Sequence, residues 1–263
     1  MTAMHPSSAG RRMPVVFIGH GSPENALDDN AFTRNWKSLG ASLPKPKAIL
    51  SISAHWLTEG TAVTGMAQPR TIHDFYGFPE PLKKYRYPAA GAPETAARIA
   101  KTVTAARVQL DDEWGLDHGT WSVLAQMYPR ADIPVVQMSL DYYLPPARQY
   151  QIGRELAPLR DHGILILGSG NLVHNLTAVD FHAEPFAWAR EFDGFVEFAL
   201  ATRDDDALIR YTREPSAQLA HPTFDHFLPI LYVLGAGGKE KPRQFNGGIF
   251  AGSVGMRCAV FGE

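Results

Sequence analysis

The chain has a single cysteine, Cys258. It can therefore form no disulfide within itself and no cysteine-rich zinc cluster. It has no excess of one charge either: 25 lysines and arginines face 27 aspartates and glutamates, a formal net charge of −2. A phosphate backbone would call for a basic face, so nucleic acid is excluded as the main partner. No apolar run approaches the roughly 20 residues of a membrane-spanning helix. Residues 1–12 are polar and lack the apolar stretch of a signal or anchor, so they are expected to be a flexible leader ahead of one domain over 13–263. There is no Walker sequence, and Gly168-Ser-Gly-Asn lacks the third glycine of a dinucleotide fingerprint. Gly-His20-Gly-Ser22-Pro is not a nucleophile elbow, because the serine lacks its Gly-x-Ser-x-Gly setting. The scarcity of cysteine points to a reducing compartment, the cytoplasm by default.

What is present is apolar sequence in short pieces. Hydrophobic residues make up 45% of the chain and charged residues 20%, which predicts a packed core. Continuous apolar runs at Pro14–Ile18, Ala48–Ser53, Ile133–Leu140 and Ile164–Leu167 read as strands buried on both faces. Between them the spacing predicts helices over Ala31–Leu39, Pro93–Ala106, Trp121–Tyr128, Pro145–Arg160, Pro185–Leu200 and Thr223–Leu234. Loops and a late hairpin are expected in the glycine-rich stretch Gly237–Gly255, with a last strand over Met256–Phe261. Strands alternating with helices predict an α/β fold, a single-domain three-layer α/β/α sandwich on a mainly buried mixed or parallel sheet. Gln68–Ala92 departs from this regularity. Its prolines preclude a long helix, and its aromatic rings suit the wall or lid of a site.

Five histidines sit where chemistry is expected. His20 and His55 each follow an apolar strand, in Phe-Ile-Gly-His-Gly-Ser-Pro and Ser-Ile-Ser-Ala-His-Trp. In an α/β sheet the carboxyl ends of strands are where sites form, and the two can meet if their strands are neighbours. Trp56 is placed to shield such a site from water. His174 closes Gly-Ser-Gly-Asn-Leu-Val-His after another buried strand, as a further ligand or a general base. His118 lies in Asp-His-Gly-Thr-Trp, suited to donate a hydrogen bond to an anionic oxygen, with Gly119 leaving room for a substrate. His226 opens the apolar helix and is the preferred third ligand. Asp225 is the carboxylate alternative and His221 the competing imidazole. For each, the ordinary alternative is a hydrogen-bonded structural histidine. His5, His162 and His182 lie in the leader, a helix stop and a polar loop.

Taken in order, Gly-His20-Gly-Ser-Pro, Ser-Ala-His55-Trp, Thr-Ile-His73-Asp-Phe, Asp-His118-Gly-Thr-Trp, Gly-Asn-Leu-Val-His174-Asn and Pro-Thr-Phe-Asp-His226-Phe-Leu-Pro closely resemble the DOPA-dioxygenase type of class III extradiol ring-cleaving dioxygenases. The resemblance runs from about Met13 to the C-terminus. It implies one divalent metal per chain on His20, His55 and His226, Fe(II) for dioxygenation or Zn(II) as bound. It implies His174 as catalytic base and His118 as a stabiliser of charge on oxygen. It also implies a catechol such as DOPA or a catecholic acid, and dioxygen, as the small-molecule partners, with no nucleic acid and no membrane. His73 and Tyr76 of the aromatic loop are the expected substrate-binding residues. Two other classes fit the same histidines: a zinc-dependent hydrolase, and a non-catalytic metal-binding protein.

Overall fold

The computed structural model describes residues 12–263. The expected leader over 1–12 lies outside these, save for Arg12, which donates from Nη2 to the Ala157 carbonyl at 3.1 Å. Among the described residues there are ten strands: β1 Val15–Gly19, β2 Ala48–Thr58, β3 Thr61–Thr64, β4 Val108–Asp111, β5 Val135–Asp141, β6 Ile164–Gly170, β7 Arg243–Phe245, β8 Ile249–Phe250, β9 Val254–Gly255 and β10 Cys258–Phe261. Eight form one sheet in the order β4-β3-β5-β2-β6-β1-β10-β7, while β8 and β9 make a separate hairpin. The four central strands β5, β2, β6 and β1 are parallel. β3 and β10 join them antiparallel on either side. The sheet is thus mixed, with a parallel centre.

The helices are α1 Ala31–Ser42, α2 Glu80–Lys84, α3 Pro93–Thr102, α4 His118–Met127, α5 Pro146–Leu156, α6 Ala187–Thr202, α7 Asp205–Ile209, α8 Ala217–Ala220 and α9 Leu228–Gly237. They cover both faces, and alternation within each central strand shows how. Val15 and Phe17, Leu50 and Ile52, and Ile164 and Ile166 enter a core completed by α3, α5, α6 and α9. Val16 and Ile18, Ile49, and Leu165 and Leu167 enter the opposite core, with Trp36 of α1 and Trp121 of α4. Successive side chains point to opposite faces, so an unbroken apolar run feeds two cores at once. This is the three-layer sandwich the patterning predicts. Among the described residues, no helix is long and apolar enough to cross a membrane.

Several boundaries differ from the sequence expectation. α4 starts at His118 rather than Trp121, because the Asp117 carboxylate caps it by accepting from Thr120 N at 3.1 Å. α9 starts at Leu228 rather than Thr223, with Pro229 in its first turn, so His226 lies in the turn before the helix. α5 ends at Leu156 and passes into a 3-10 turn over Ala157–His162. α3 ends at Thr102 rather than Ala106, and the short strand β4, which was not expected, follows at Val108. β2 runs on to Thr58, so His55 is inside the strand and not beyond it. Short strands such as β3 and β4 carry too little pattern to be read from sequence. Gln68–Ala92 does hold no long helix, only the single turn of α2.

Two contacts hold the α9 face together. α5 and α9 cross so closely that a Cβ on Gly153 would stand 2.3 Å from the Tyr232 carbonyl, and one on Gly235 would stand 2.3 Å from the Tyr150 carbonyl. Beside that crossing, the buried Arg160 guanidinium donates to the Met13 carbonyl at 2.6 Å, the Ala236 carbonyl at 3.0 Å and Glu240 at 2.7 Å. It ties the start of β1 to the end of α9.

Gly153→Ala should destabilise the protein by about 2 kcal/mol or more, because the methyl meets the backbone of Tyr232 and not a side chain that could move aside. Helix propensity alone predicts the opposite sign, a gain of about 1 kcal/mol. Urea denaturation decides between them, and a stabilised variant would mean the helices are free to separate. Arg160→Met, which keeps the length of the stem, should cost about 2–4 kcal/mol in the same assay. It leaves two buried carbonyls and the Glu240 carboxylate without their donor.

Candidate metal centre

The centre lies at the carboxyl ends of the parallel strands. β1 delivers His20 and β2 delivers His55, but the two strands are not neighbours: β6 runs between them. The rings meet because the intervening residue, Ser169, is small. His20 Nε2 and His55 Nε2 approach to 3.2 Å. His55 is aimed there by an irregularity in β2: its pairing with β6 stops at Ser53 and its register with β5 shifts between Ile52 and Leu57. Such breaks commonly re-aim a side chain next to a site. His226 arrives from the turn before α9, with ring centroids 5.3 Å from His20 and 4.8 Å from His55. His226 can reach the sheet because residue 170 is glycine: a Cβ there would lie 2.2 Å from the His226 carbonyl. His118, the first residue of α4, packs 3.8 Å from His55 between centroids. His174 stacks on His226 at 3.4 Å, nearly parallel.

The far nitrogens of His20, His55, His118 and His226 each have a partner. His20 Nδ1 is 2.9 Å from Ser169 Oγ, and that hydroxyl donates its only proton to the Gly119 carbonyl at 2.5 Å. Ser169 must therefore accept from His20, which places the ring proton on Nδ1 and a lone pair on Nε2. Asp74 Oδ2 lies 3.4 Å from His55 Nδ1 and 2.9 Å from His118 Nδ1. Asp225 is hydrogen-bonded to Nδ1 of His226. Partners of this kind fix tautomer and ring orientation in metal sites.

Electrostatics agree. Burial, with repulsion from neighbouring rings, lowers His20 and His226 well below the usual imidazole range. Burial lowers His55 to about 3, opposed in part by Asp74. Burial alone would raise the Asp74 carboxyl, but the His118 and His55 rings hold it down at about 2. The centre therefore offers neutral imidazoles with anionic carboxylates behind them. Two nitrogen lone pairs 3.2 Å apart repel unless they share a cation. Ligands of one tetrahedral zinc-type site stand about 3.4 Å apart. The nitrogens of His20, His55 and His118 lie within 4.8 Å of one another, as do the ligand atoms of His174, Asp225 and His226. This donor set fits a borderline divalent ion such as iron or zinc.

The histidines form the floor of a cavity of about 410 Å³. Its walls are largely apolar, with Pro23, Phe75, Phe78, Val179 and Val254 around it, and Tyr76, Phe181 and Phe250 at the exposed rim. Asp74, Phe75 and Tyr76 come from the aromatic loop, as expected of a wall segment. His73 is not among the lining residues. Its Nε2 faces the Tyr85 carbonyl at 2.9 Å and its ring packs on Phe75 and Trp121, behind the wall. Trp56 stacks on Trp114 away from the cavity and does not shield it. Gly119 makes room for a protein ring and not for substrate: a Cβ there would meet Ser53 Oγ at 2.5 Å and His55 Cδ2 at 2.9 Å. His221 is buried beside Phe192 and Phe227 with Nε2 on the Leu172 carbonyl at 3.1 Å, apart from the cavity wall. Sequence reasoning passed over Asp74 and Ser169. Asp74 had a signal, since it stands inside the His73-Asp-Phe motif, whereas nothing local marks a serine at the end of a buried strand.

A family model described as the catalytic LigB subunit of aromatic ring-opening dioxygenase matches residues 13–256. The chain is 46% identical over 258 residues to a 4,5-DOPA dioxygenase extradiol of Escherichia coli (strain K12), across 95% of each chain. It is 39% identical over 251 residues to a 4,5-DOPA dioxygenase extradiol of Beta vulgaris, across 90% of this chain and 93% of that one. Among solved structures it is similar to that of an uncharacterized Escherichia coli K12 protein, with a TM-score of 0.83 and 43% identity over 95% of this chain and 100% of that chain. A histidine centre at the floor of an apolar cavity suits such chemistry. The chain belongs to the LigB family of class III extradiol dioxygenases, of the 4,5-DOPA dioxygenase type, and is a metal-dependent enzyme that opens the aromatic ring of a catechol.

Proposed function

We propose that His20, His55 and His226 hold one divalent ion through Nε2, that ferrous iron is the working metal, and that the substrate is a catechol of the DOPA or catecholic-acid kind. One observation supports Nε2 as the ligand atom: Nδ1 of each of these rings is occupied, by Ser169, Asp74 and Asp225 respectively, as is Nδ1 of His118, by Asp74. Only Nε2 is left to converge. DOPA is named as substrate on the strength of the relatives called 4,5-DOPA dioxygenase extradiol. The lone, buried Cys258 supports work in the reducing cytoplasm.

Ferrous iron, when bound, would relay electrons from the catecholate to dioxygen, whereas zinc has no second oxidation state to offer. The chain's own residues bind the catechol and move its protons. His174 is the general base: burial, against the pull of Asp225, lowers it to about 4, so its ring is neutral at pH 7 and can accept a hydroxyl proton. Its position is fixed by its amide, which donates to the Ala220 carbonyl at 2.8 Å, and by its bridge to Val254. His118 donates from Nδ1 to Asp74, and with a second proton on Nε2 it can also donate to charge developing on oxygen. Tyr76 meets the substrate at the rim, and His73 positions the loop from behind. The apolar walls exclude water from the reacting ring. In the overall reaction the carbon–carbon bond beside the diol breaks and each cut carbon gains one oxygen atom, giving a semialdehyde.

Alanine at His20, His55 or His226 should reduce bound metal at least tenfold in elemental analysis while circular dichroism stays native. Retention in His226→Ala with loss in His118→Ala would move the third ligand to His118, whose nitrogen also clusters with those of His20 and His55. Protein loaded anaerobically with ferrous iron, then given DOPA and air, should consume a molecule of dioxygen per catechol and turn yellow. The zinc form should not, and equal rates from an iron-free zinc sample would falsify this assignment. His174→Phe should keep its iron and lose turnover by about a hundredfold or more.

A further inference from the structure

The cavity wall carries two carboxylates and, among the described residues that line it, no lysine or arginine. Asp74 is engaged with His55 and His118. Glu24 is not engaged with any histidine. It lies on the 3-10 turn Pro23–Ala26, just after His20, where Gly21 takes a left-handed φ of 61° and turns the chain back over the centre. Its Oε2 accepts from Ser22 Oγ at 3.2 Å, and it forms no ion pair among the described residues. A half-buried carboxylate without a counter-charge thus shares an apolar cavity with the histidines.

Resting on the catechol reading above, we infer that Glu24 selects the charge of the substrate's ring substituent: it receives the ammonium of an aminoalkyl catechol and disfavours a catecholic acid. The diol must face the histidine floor, which directs the substituent toward the walls and mouth. There a carboxylate substituent meets Glu24 and no cation, whereas an ammonium gains a partner in surroundings poorer in water than bulk solvent. An amino acid catechol carries both charges and falls between. Of the substrates proposed above, those bearing an amine are favoured and simple catecholic acids are the poor ones.

The test is anaerobic binding to the iron-loaded protein, followed by tryptophan fluorescence. Dopamine and dihydrocaffeate serve as the cationic and anionic ligands, with 4-ethylcatechol as uncharged reference. Wild-type protein should bind dopamine about tenfold more tightly than dihydrocaffeate, the scale of one partly screened charge pair. Glu24→Gln should bring the two affinities to within about twofold, and Glu24→Lys should reverse their order. Equal affinities in the wild type, or a preference that survives Glu24→Gln, would overturn the inference. Preferential dopamine binding with no oxygen uptake on admitting air would leave it standing and sink the ring-cleavage mechanism instead. Failure to bind any of the three catechols would remove both.

Discussion

The centre depends on what holds the far side of each imidazole. A histidine ring can present either nitrogen and can rotate about two bonds, so convergence of three or four rings is not guaranteed by their nearness. Here His20 is fixed by a hydrogen-bond chain through Ser169 to the Gly119 carbonyl. Asp74 stands behind both His55 and His118, and Asp225 behind His226. Each partner pins Nδ1 and leaves Nε2 to the common focus. The same arrangement solves the charge problem. Burial keeps His20, His55 and His226 neutral, as ligands must be, while the carboxylates behind them supply negative charge to balance a divalent ion.

Those partners come from distant parts of the chain, and the sheet brings them together. β6 contributes Ser169 between the strands that carry His20 and His55. α4 begins at the centre because Asp117 caps it, which places His118 at its first position and Gly119 against His55. Burial, with the nearby Asp74 charge, raises the Asp117 carboxyl to about 6, while donation from Gln137 Nε2 and the Thr120 amide holds it in place. The glycine at position 170 lets the turn before α9 lie on the strand end, and so admits His226. A packed scaffold on both faces of the sheet makes these positions rigid, and Arg160 and the α5–α9 crossing lock one of those faces.

Above the floor the character changes from polar to apolar. Rings from the aromatic loop and aliphatic groups from 176–179 and the β8–β9 hairpin enclose the space, which gives a planar substrate contact area but little hydrogen bonding. Polar recognition is therefore concentrated at two levels. On the proposals above, the diol would be read at the histidines, and charge on the rest of the molecule by Glu24 on the cavity wall. The long exposed ring of Tyr76 and the pair Phe181 and Phe250 frame the entrance.

By itself the sequence determined the sandwich and the chemistry of its site. Unbroken apolar runs alternating with amphipathic segments admit few architectures, since a strand buried on both faces needs helices on both. His20 and His174 were legible because each follows such a run, and the six ordered motifs carried the family. Tertiary structure alone decided which groups pair with which. Ser169, Asp74 and Gly119 act on rings that are far away in sequence, and no local pattern records a contact across 50 or 149 positions. It also decided where elements begin. The Asp117 cap moved α4 to His118, Pro229 in the first turn went with a later start for α9 that left His226 outside it, and the break in β2 turned His55 inward. His221 and His226 look alike in sequence, five residues apart. Packing separates them, one among aromatic rings in the core and the other at the floor of the cavity, because only the folded chain determines which face of a turn meets the sheet.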